Sequence, residues 1–369
     1  MAHDVIVSGH LCLDLLPAMN HLSSKAVTMP GKLFEIGKMK MATGGSVSNT
    51  GLTLHQLGVD VGFVTQVGDD MIGQLTLSII KSFDPNLIKH ITIVPDQPSS
   101  YSVVLSPENQ DRTFLHCPGT NDTFGVEHFD FALLEGVRIF HLGYPPILPQ
   151  LIANDGAGLA KLYAQAKKAG AITSLDMSFP APNAVVGHVN WSRILEVIMP
   201  DVDIFLPSIE EIVFMLRPED YMTWEGSLMQ HITRPYLRQL AAELLEFGAG
   251  VVGFKLGEMG FYLHTGDNSN RLQALNELTD SEKWCNLDLW HPAFTVEVSG
   301  TTGAGDSAYG GFLAALLRGL APDEIVRFAC AVGACNVEAI DAISGVQSWD
   351  ATQVRINSEW KTSNVILPG

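Results

Sequence analysis

Short apolar runs bounded by turn residues recur along the chain: residues 5–9, 61–67, 137–143, 171–176, 203–206 and 251–256. Runs this short and this uniformly apolar are the pattern of parallel strands covered by helices on both faces. Between the runs the apolar period changes. Leu159, Leu162, Tyr163 and Ala166 fall at i, i+3, i+4 and i+7, with Gly170 as a stop. Leu237, Leu240, Ala241, Leu244 and Leu245 repeat the pattern ahead of Gly248. Each helix leads into the next strand, so repeated β-α-β units predict an α/β fold with a parallel sheet between helical layers. In such a sheet a ligand binds outside the carboxyl ends of the strands.

Two segments break the alternation. Residues 17–43 carry no strong helical period and contain Pro17, Pro30 and Gly31, whereas residues 90–117 alternate in β-branched style. Together they predict a small β-sheet beside the main one, either a lid over an active site or a peripheral embellishment. The polar stretch 264–292, after Phe261-Tyr262-Leu263, reads as a surface insertion.

The most informative run is Thr301-Thr302-Gly303-Ala304-Gly305-Asp306, preceded by a strand-like run at 294–298 and followed by a helix rich in small residues. Strand, glycine-rich turn and helix start together make an anion hole. The backbone can approach a phosphate closely, and the first N–H groups of the helix point at it. Asp306 is then either a helix N-cap or a carboxylate placed to take a proton from an attacking hydroxyl. Gly44-Gly45-Ser46-Val47-Ser48-Asn49 precedes a helical segment, 50–57, that stops at Gly58. The cluster is a tight turn, or a backbone surface for a polyhydroxy ligand with Asn49 as donor and acceptor. Lys255-Leu256-Gly257-Glu258-Met259-Gly260 reads as a hairpin turn or as a phosphate-contacting lysine beside a glycine turn. No P-loop, H-E-x-x-H or G-x-S-x-G sequence occurs.

Bulk properties narrow the partners. The chain has 369 residues, 46% of them hydrophobic, enough for one large α/β domain or two ordinary ones. The net charge of −18 disfavours nucleic acid and anionic membranes, although a local pocket can still take an anionic nucleotide. Five cysteines with no C-x-x-C argue against a zinc site or a disulfide framework and for a reducing compartment. With no leader-like start and no apolar run of membrane-spanning length, a soluble cytoplasmic protein is expected.

Taken together and in this order, these clusters resemble the ribokinase-like, or PfkB, carbohydrate kinase family, over about residues 4–348. The Thr301–Asp306 run carries most of the resemblance. Gly44, Gly45, Asn49, Leu57 and Gly58, followed by Val67-Gly68-Asp69-Asp70 and Gly73, carry the rest. The resemblance implies one ribokinase-like domain over residues 1–369, doubly wound, with lid segments near 17–43 and 90–117. It implies transfer of the ATP γ-phosphate to a hydroxyl of a small sugar or sugar-like substrate, with Mg2+. Asp306 would be the general base, and the backbone of Gly303, Ala304, Gly305 and Asp306 the anion hole. Asp14, placed at the end of the first strand, would bind substrate together with Gly44, Gly45 and Asn49. Lys255, Gly257 and Gly260 would bind the nucleotide, and Glu211 would organise the magnesium ion. Pairing of lid sheets would make a homodimer.

The sequence departs from the family pattern at several places. Ser208-Ile209-Glu210-Glu211 replaces a frequent Asn-x-x-Glu, Cys12 replaces the Asn of ribokinases proper, and Ser178 replaces another frequent Asn. Gly300 stands where many relatives carry an Asp that helps bind a monovalent cation, so potassium activation is not expected to carry over. Arg112, His116 and Asn121 are either sugar contacts or lid packing, and His141 and Tyr144 follow a strand toward the pocket. Two other functions stay open. One is a nucleoside (adenosine-type) kinase, with Phe34, Phe114 and Phe124 as walls of a base slot. The other is a catalytically weak sugar-binding or regulatory protein on the same fold.

Overall fold

A computed structural model describes residues 2–19, 22, 29–107, 112–180 and 189–369. Its main sheet is built on β1 (Val5–Gly9), an apolar strand buried along its whole length. Around it lie β4 (Val61–Gly68), β5 (Ile91–Val94), β8 (Ile139–Gly143), β9 (Ile172–Asp176), β10 (Ile204–Phe205), β11 (Val251–Lys255), β12 (Phe261–His264) and β13 (Asp288–His291). The spatial order is β13-β12-β11-β10-β9-β8-β1-β4-β5. All neighbours from β5 to β11 pair in parallel, and β12 and β13 close that edge antiparallel. The chain winds outward from β1 to β4 and β5, then returns to the other side of β1 for β8 onward. The direction of winding therefore switches beside β1, where a doubly wound sheet opens a crevice.

Alternation along the strands divides the core. Val5 and Val7 of β1 face one cluster with Leu52, Phe312, Ile325 and Ile356. These come from α1 (Ser46–Gln56), α7 (Ala304–Leu317), α8 (Pro322–Asn336) and α9 (Trp349–Ile356). Ile6 faces the opposite cluster with Leu159, Ile194, Ile212 and Leu237. Those residues lie on α3 (Pro149–Lys168), α4 (Trp191–Ile198), α5 (Ile209–Leu216) and α6 (Arg234–Glu246), while α2 (Met71–Phe83) follows β4. Helices thus cover both faces, as the apolar pattern predicts. No helix among the described residues is long and apolar enough to cross a membrane.

A second sheet has the order β3-β2-β6-β7, from β2 (Cys12–Pro17), β3 (Met39–Gly44), β6 (Tyr101–Leu105) and β7 (Thr113–Cys117). The expected lid segments need correction. The first lid strand begins at Cys12, so Asp14 belongs to the small sheet and not to the end of the first strand. Residues 91–94, inside the second expected segment, pair with β4 and extend the main sheet. Positions 20, 21, 23–28 and 108–111 of the two segments lie outside the described residues.

Two further expectations fail. Residues 294–298 form no strand; Phe294 makes one isolated bridge to Thr362. The 264–292 stretch is no surface insertion, because Leu272, Leu275 and Trp284 are buried in the core that also holds Phe312 of α7. Its polar residues mask an apolar minority that faces inward.

Candidate active site

The carboxyl ends of the strands bring the chemistry together. Gly9, Gly143 and Asp176 stand side by side in register, and the next parallel bridge on that edge joins Ser208 to Lys255. His10 and Tyr144 are therefore the first residues to emerge beside the crevice.

Asp306 sits in the first turn of α7, and 3% of its surface is exposed. Gly303 takes the N-cap position at φ 73°, a left-handed backbone that glycine adopts without strain. A side chain there would also collide with Ala342, 2.6 Å from the Cβ position. Because Gly303 holds the N-cap position and Asp306 lies inside the helix, the N-cap reading of Asp306 is corrected. Instead, Oδ2 accepts hydrogen bonds from the Tyr144 hydroxyl at 2.7 Å and from Asn49 Nδ2 at 3.0 Å. Oδ1 is buried without a partner.

Lys255 closes β11, and its Nζ donates to both Asp176 oxygens, at 2.6 and 2.7 Å. It also lies 3.5 Å from the Cβ position of Gly305, beside the helix start. Burial works against the charge of Lys255, but Asp176, Glu211 and Asp306 together outweigh it and hold the ammonium above its ordinary pKa. Burial pushes the Asp306 carboxyl up, while Lys255, Tyr144 and Asn49 favour its charge. Asp176 is likewise pushed up by burial and pulled back by Lys255.

Glu211 is at the third position of α5. Ser208 N–H donates to its Oε2 at 2.8 Å, and the Ser208 hydroxyl accepts from the Glu211 N–H at 3.5 Å, a reciprocal capping box. Among the described residues no group of three His, Cys, Asp or Glu side chains converges as a metal ligand set.

These residues border a cavity of about 670 Å³. Gly303, Ala304, Gly305, Asp306, Lys255, Gly257, Gly260 and Glu211 all line it, and Phe294, Val296, Val298 and Val337 give it an apolar end. Asp14, Gly44 and Gly45 are not on this wall; they lie on the lid side of Asp306. A Cβ on Gly44 would fall 2.2 Å from Asp14 Oδ2, and one on Gly45 would fall 2.4 Å from His10 Nδ1. The two glycines thus make room for Asp14 and His10.

Register places Asp14 opposite Ser102, and Ser102 opposite His116, so the three side chains share a face of the lid sheet. Ser102 Oγ is 2.9 Å from His116 Nδ1. Burial raises the Asp14 carboxyl to about 6. His10 is 3% exposed, has both ring nitrogens unpartnered, and lies 5.2 Å from the His116 ring.

The remaining candidates separate. Asn121 is consumed by the backbone of Leu11 at both ends of its amide. His141 is fully buried, with Nδ1 2.9 Å from Ser174 Oγ, as a core histidine would be. The Arg112 guanidinium lies against Gly300, 2.8 Å from its Cβ position. Phe124 is buried in the main core and Phe114 is 52% exposed. Sequence reasoning passed over His10 and Asp176. Their only signal is position, each at or just past the end of a buried strand.

Comparison with known proteins agrees with this architecture. The family model described as pfkB family carbohydrate kinase matches residues 3–281 and 285–349. A probable chloroplastic fructokinase-6 of Arabidopsis thaliana is 25% identical over 360 residues, which are 94% of this chain and 80% of the relative. The fold is shared with Arabidopsis thaliana ribokinase complexed with ribose and ATP, at a TM-score of 0.70 and 18% identity over 97% of this chain and 99% of that one. It is shared equally with a Xylella fastidiosa fructokinase bound to ATP, at a TM-score of 0.71 and 19% identity over 97% and 99% of the two chains. With the family model spanning nearly the whole chain, this protein belongs to the pfkB family of carbohydrate kinases.

Proposed function

We propose that this carbohydrate kinase transfers the γ-phosphoryl group of ATP to a hydroxyl of a small sugar or sugar-like substrate, with Asp306 as the general base. The observation that carries the reading is Asp306 Oδ1: a buried carboxylate oxygen without a partner, at the start of a helix facing a cavity. The apolar end of that cavity suits the adenine ring. The Gly257–Gly260 turn leads the phosphates toward Lys255 and Gly303. The N–H groups of the first turn of α7 receive the charge that develops on the transferred group. The sugar lies on the other side of Asp306, below Asp14, His10 and His116. Its hydroxyl oxygen forms a bond to the γ-phosphorus while the β–γ bridging bond breaks to leave ADP, and its proton passes to Asp306 Oδ1.

Three carboxylates and one ammonium meet beside the phosphates, and the described residues provide no ligand set of their own for a metal. The Mg2+ implied by the family would arrive on the nucleotide, with Glu211 offering a single carboxylate to it. Replacing Asp306 by Asn is expected to lower kcat by about 100-fold or more with nucleotide binding retained. Near-normal turnover would remove Asp306 from the chemistry.

The polar lid row of Asp14, Ser102 and His116 favours a polyhydroxy acceptor, while Phe114, two residues before His116 on β7, shares that face and keeps a nucleoside as the second reading. An ADP-release assay across pentoses, hexoses, sugar acids and nucleosides distinguishes these acceptors. Tight sugar binding without ATP consumption by any of them would favour the regulatory alternative.

A further inference from the structure

Tyr144 is the first residue beyond β8, and its backbone occupies the left-handed region at φ 65°, ψ 41°. A side chain there is strained, and such strain persists only where the surroundings over-determine it. Here they do. The Tyr144 N–H donates to the Asp176 carbonyl at 3.1 Å, its own carbonyl accepts from the Ile147 N–H at 3.1 Å, and two prolines follow. The ring stacks on His10 with centroids 6.1 Å apart and planes 28° from parallel. So placed, the hydroxyl donates to Asp306 Oδ2 at 2.7 Å.

Asn49 Nδ2 holds the same oxygen from α1, so two donors fix Oδ2 while Oδ1 is left without a partner. A carboxylate held at one oxygen by two donors from different elements cannot rotate freely about its χ angles. The other oxygen then has a fixed direction.

We propose that Tyr144 is a positioning residue for phosphoryl transfer, clamping Asp306 Oδ2 so that Oδ1 faces the acceptor hydroxyl. This inference rests on the reading of Asp306 as the base.

The charged and titratable groups around Asp306 are Lys255 on β11, Asp176 on β9, Glu211 on α5, Tyr144 itself, and His10 behind the Tyr144 ring. Burial pushes the Asp306 carboxyl up, and Lys255, Tyr144, Asn49 and Thr50 oppose that push. Burial and the neighbouring Asp306 push the Tyr144 phenol up as well, so it remains a donor throughout the working pH range. His10 is pushed down by burial and by His116, which keeps its ring neutral against Tyr144. Loss of the phenol removes one donor that favours the charged form. The Asp306 pKa must then rise, and the base is lost at a higher pH than before.

The test compares Tyr144→Phe, Asp306→Asn and the unaltered enzyme over pH, using a sugar that the unaltered enzyme phosphorylates. Y144F keeps the ring and its stacking. Its acidic limb in kcat/KM is expected to move up by about one pH unit, and its kcat to fall by about 10-fold or more, with KM for ATP unchanged. If Y144F does not fold, Tyr144→Asn, which tolerates the left-handed backbone, should show the same upward shift. An unmoved acidic limb alongside an inactive D306N overturns the clamp and leaves the base in place. A faster Y144F with a lower sugar KM also overturns it, because the phenol would then be occupying the seat of the acceptor hydroxyl. An active D306N instead removes the reading on which the clamp rests.

Discussion

Asp14 carries its hydrogen-bonding capacity into a buried place, with 8% of its surface exposed. The Cys12 thiol donates to its Oδ1 at 3.4 Å, a weak bond, and Ser102 beside it also favours the charged form. Burial holds its pKa at about 6, above the ordinary carboxylate value, so the charged form is the costly one. Above that pH the carboxylate accepts hydrogen bonds from sugar hydroxyls; below it the neutral acid accepts them more weakly. The KM for sugar should therefore climb as pH falls through about 6, while KM for ATP stays level. Asp14→Asn should have a high sugar KM with no such dependence. A flat sugar KM in the unaltered enzyme would show that Asp14 does not touch substrate. Asp306 and Lys255 were legible in the sequence because glycine turns mark them. Tyr144 was legible as a residue following a strand toward the pocket, and it lines the cavity; His10 was not, since a histidine after a buried strand is more often packed than exposed to ligand.

Two elements are joined by a pair that sequence distance hides. Lys40 on β3 of the lid sheet pairs with Asp341, in the loop that packs under Gly303. The pair has unequal halves. Lys40 is 51% exposed in its side chain, and an ion pair with such a partner is worth only about 0–1 kcal/mol. Asp341 is buried, and its carboxylate also accepts from the Ile343 N–H at 3.0 Å, the Ser344 N–H at 2.6 Å and the Ser344 hydroxyl at 2.7 Å. Asp341→Ala leaves those donors unsatisfied and should cost about 2–3 kcal/mol in denaturant unfolding. Lys40→Ala should cost under about 1 kcal/mol. Equal losses from the two variants would mean that the ion pair, and not the loop, holds the stability. The strands and helices themselves were largely legible, because period and stop signals are local. The lid boundaries were not. β5 resembles a lid strand in composition and is assigned to the main sheet only by its pairing with β4.

At the scale of the whole molecule, the lid sheet ends, among the described residues, in two edge strands, β3 and β7. Met39 and Met41 on one edge and Phe114 and Leu115 on the other are each about half exposed. Unpaired strand edges carrying apolar side chains favour pairing with another copy. A homodimer is the expected state in light scattering at micromolar concentration, and a monomeric mass there would refute pairing through the lid. The net charge of −18 bears on this expectation: two copies repel each other at long range, so association should strengthen with added salt.

Much of this protein was already determined by the sequence alone. Strand and helix periods, the anion-hole turn and the family resemblance are written in neighbouring residues, and local chemistry is enough to read them. The contacts that make those pieces a site are long-range. Lys255 meets Asp176 across 79 residues, Tyr144 meets Asp306 across 162, and Asn49 meets Asp306 across 257. Only the tertiary structure decided them, because the register of parallel strands sets which loop ends lie side by side. That register follows from packing two helical layers against the sheet, which no single segment of the chain specifies.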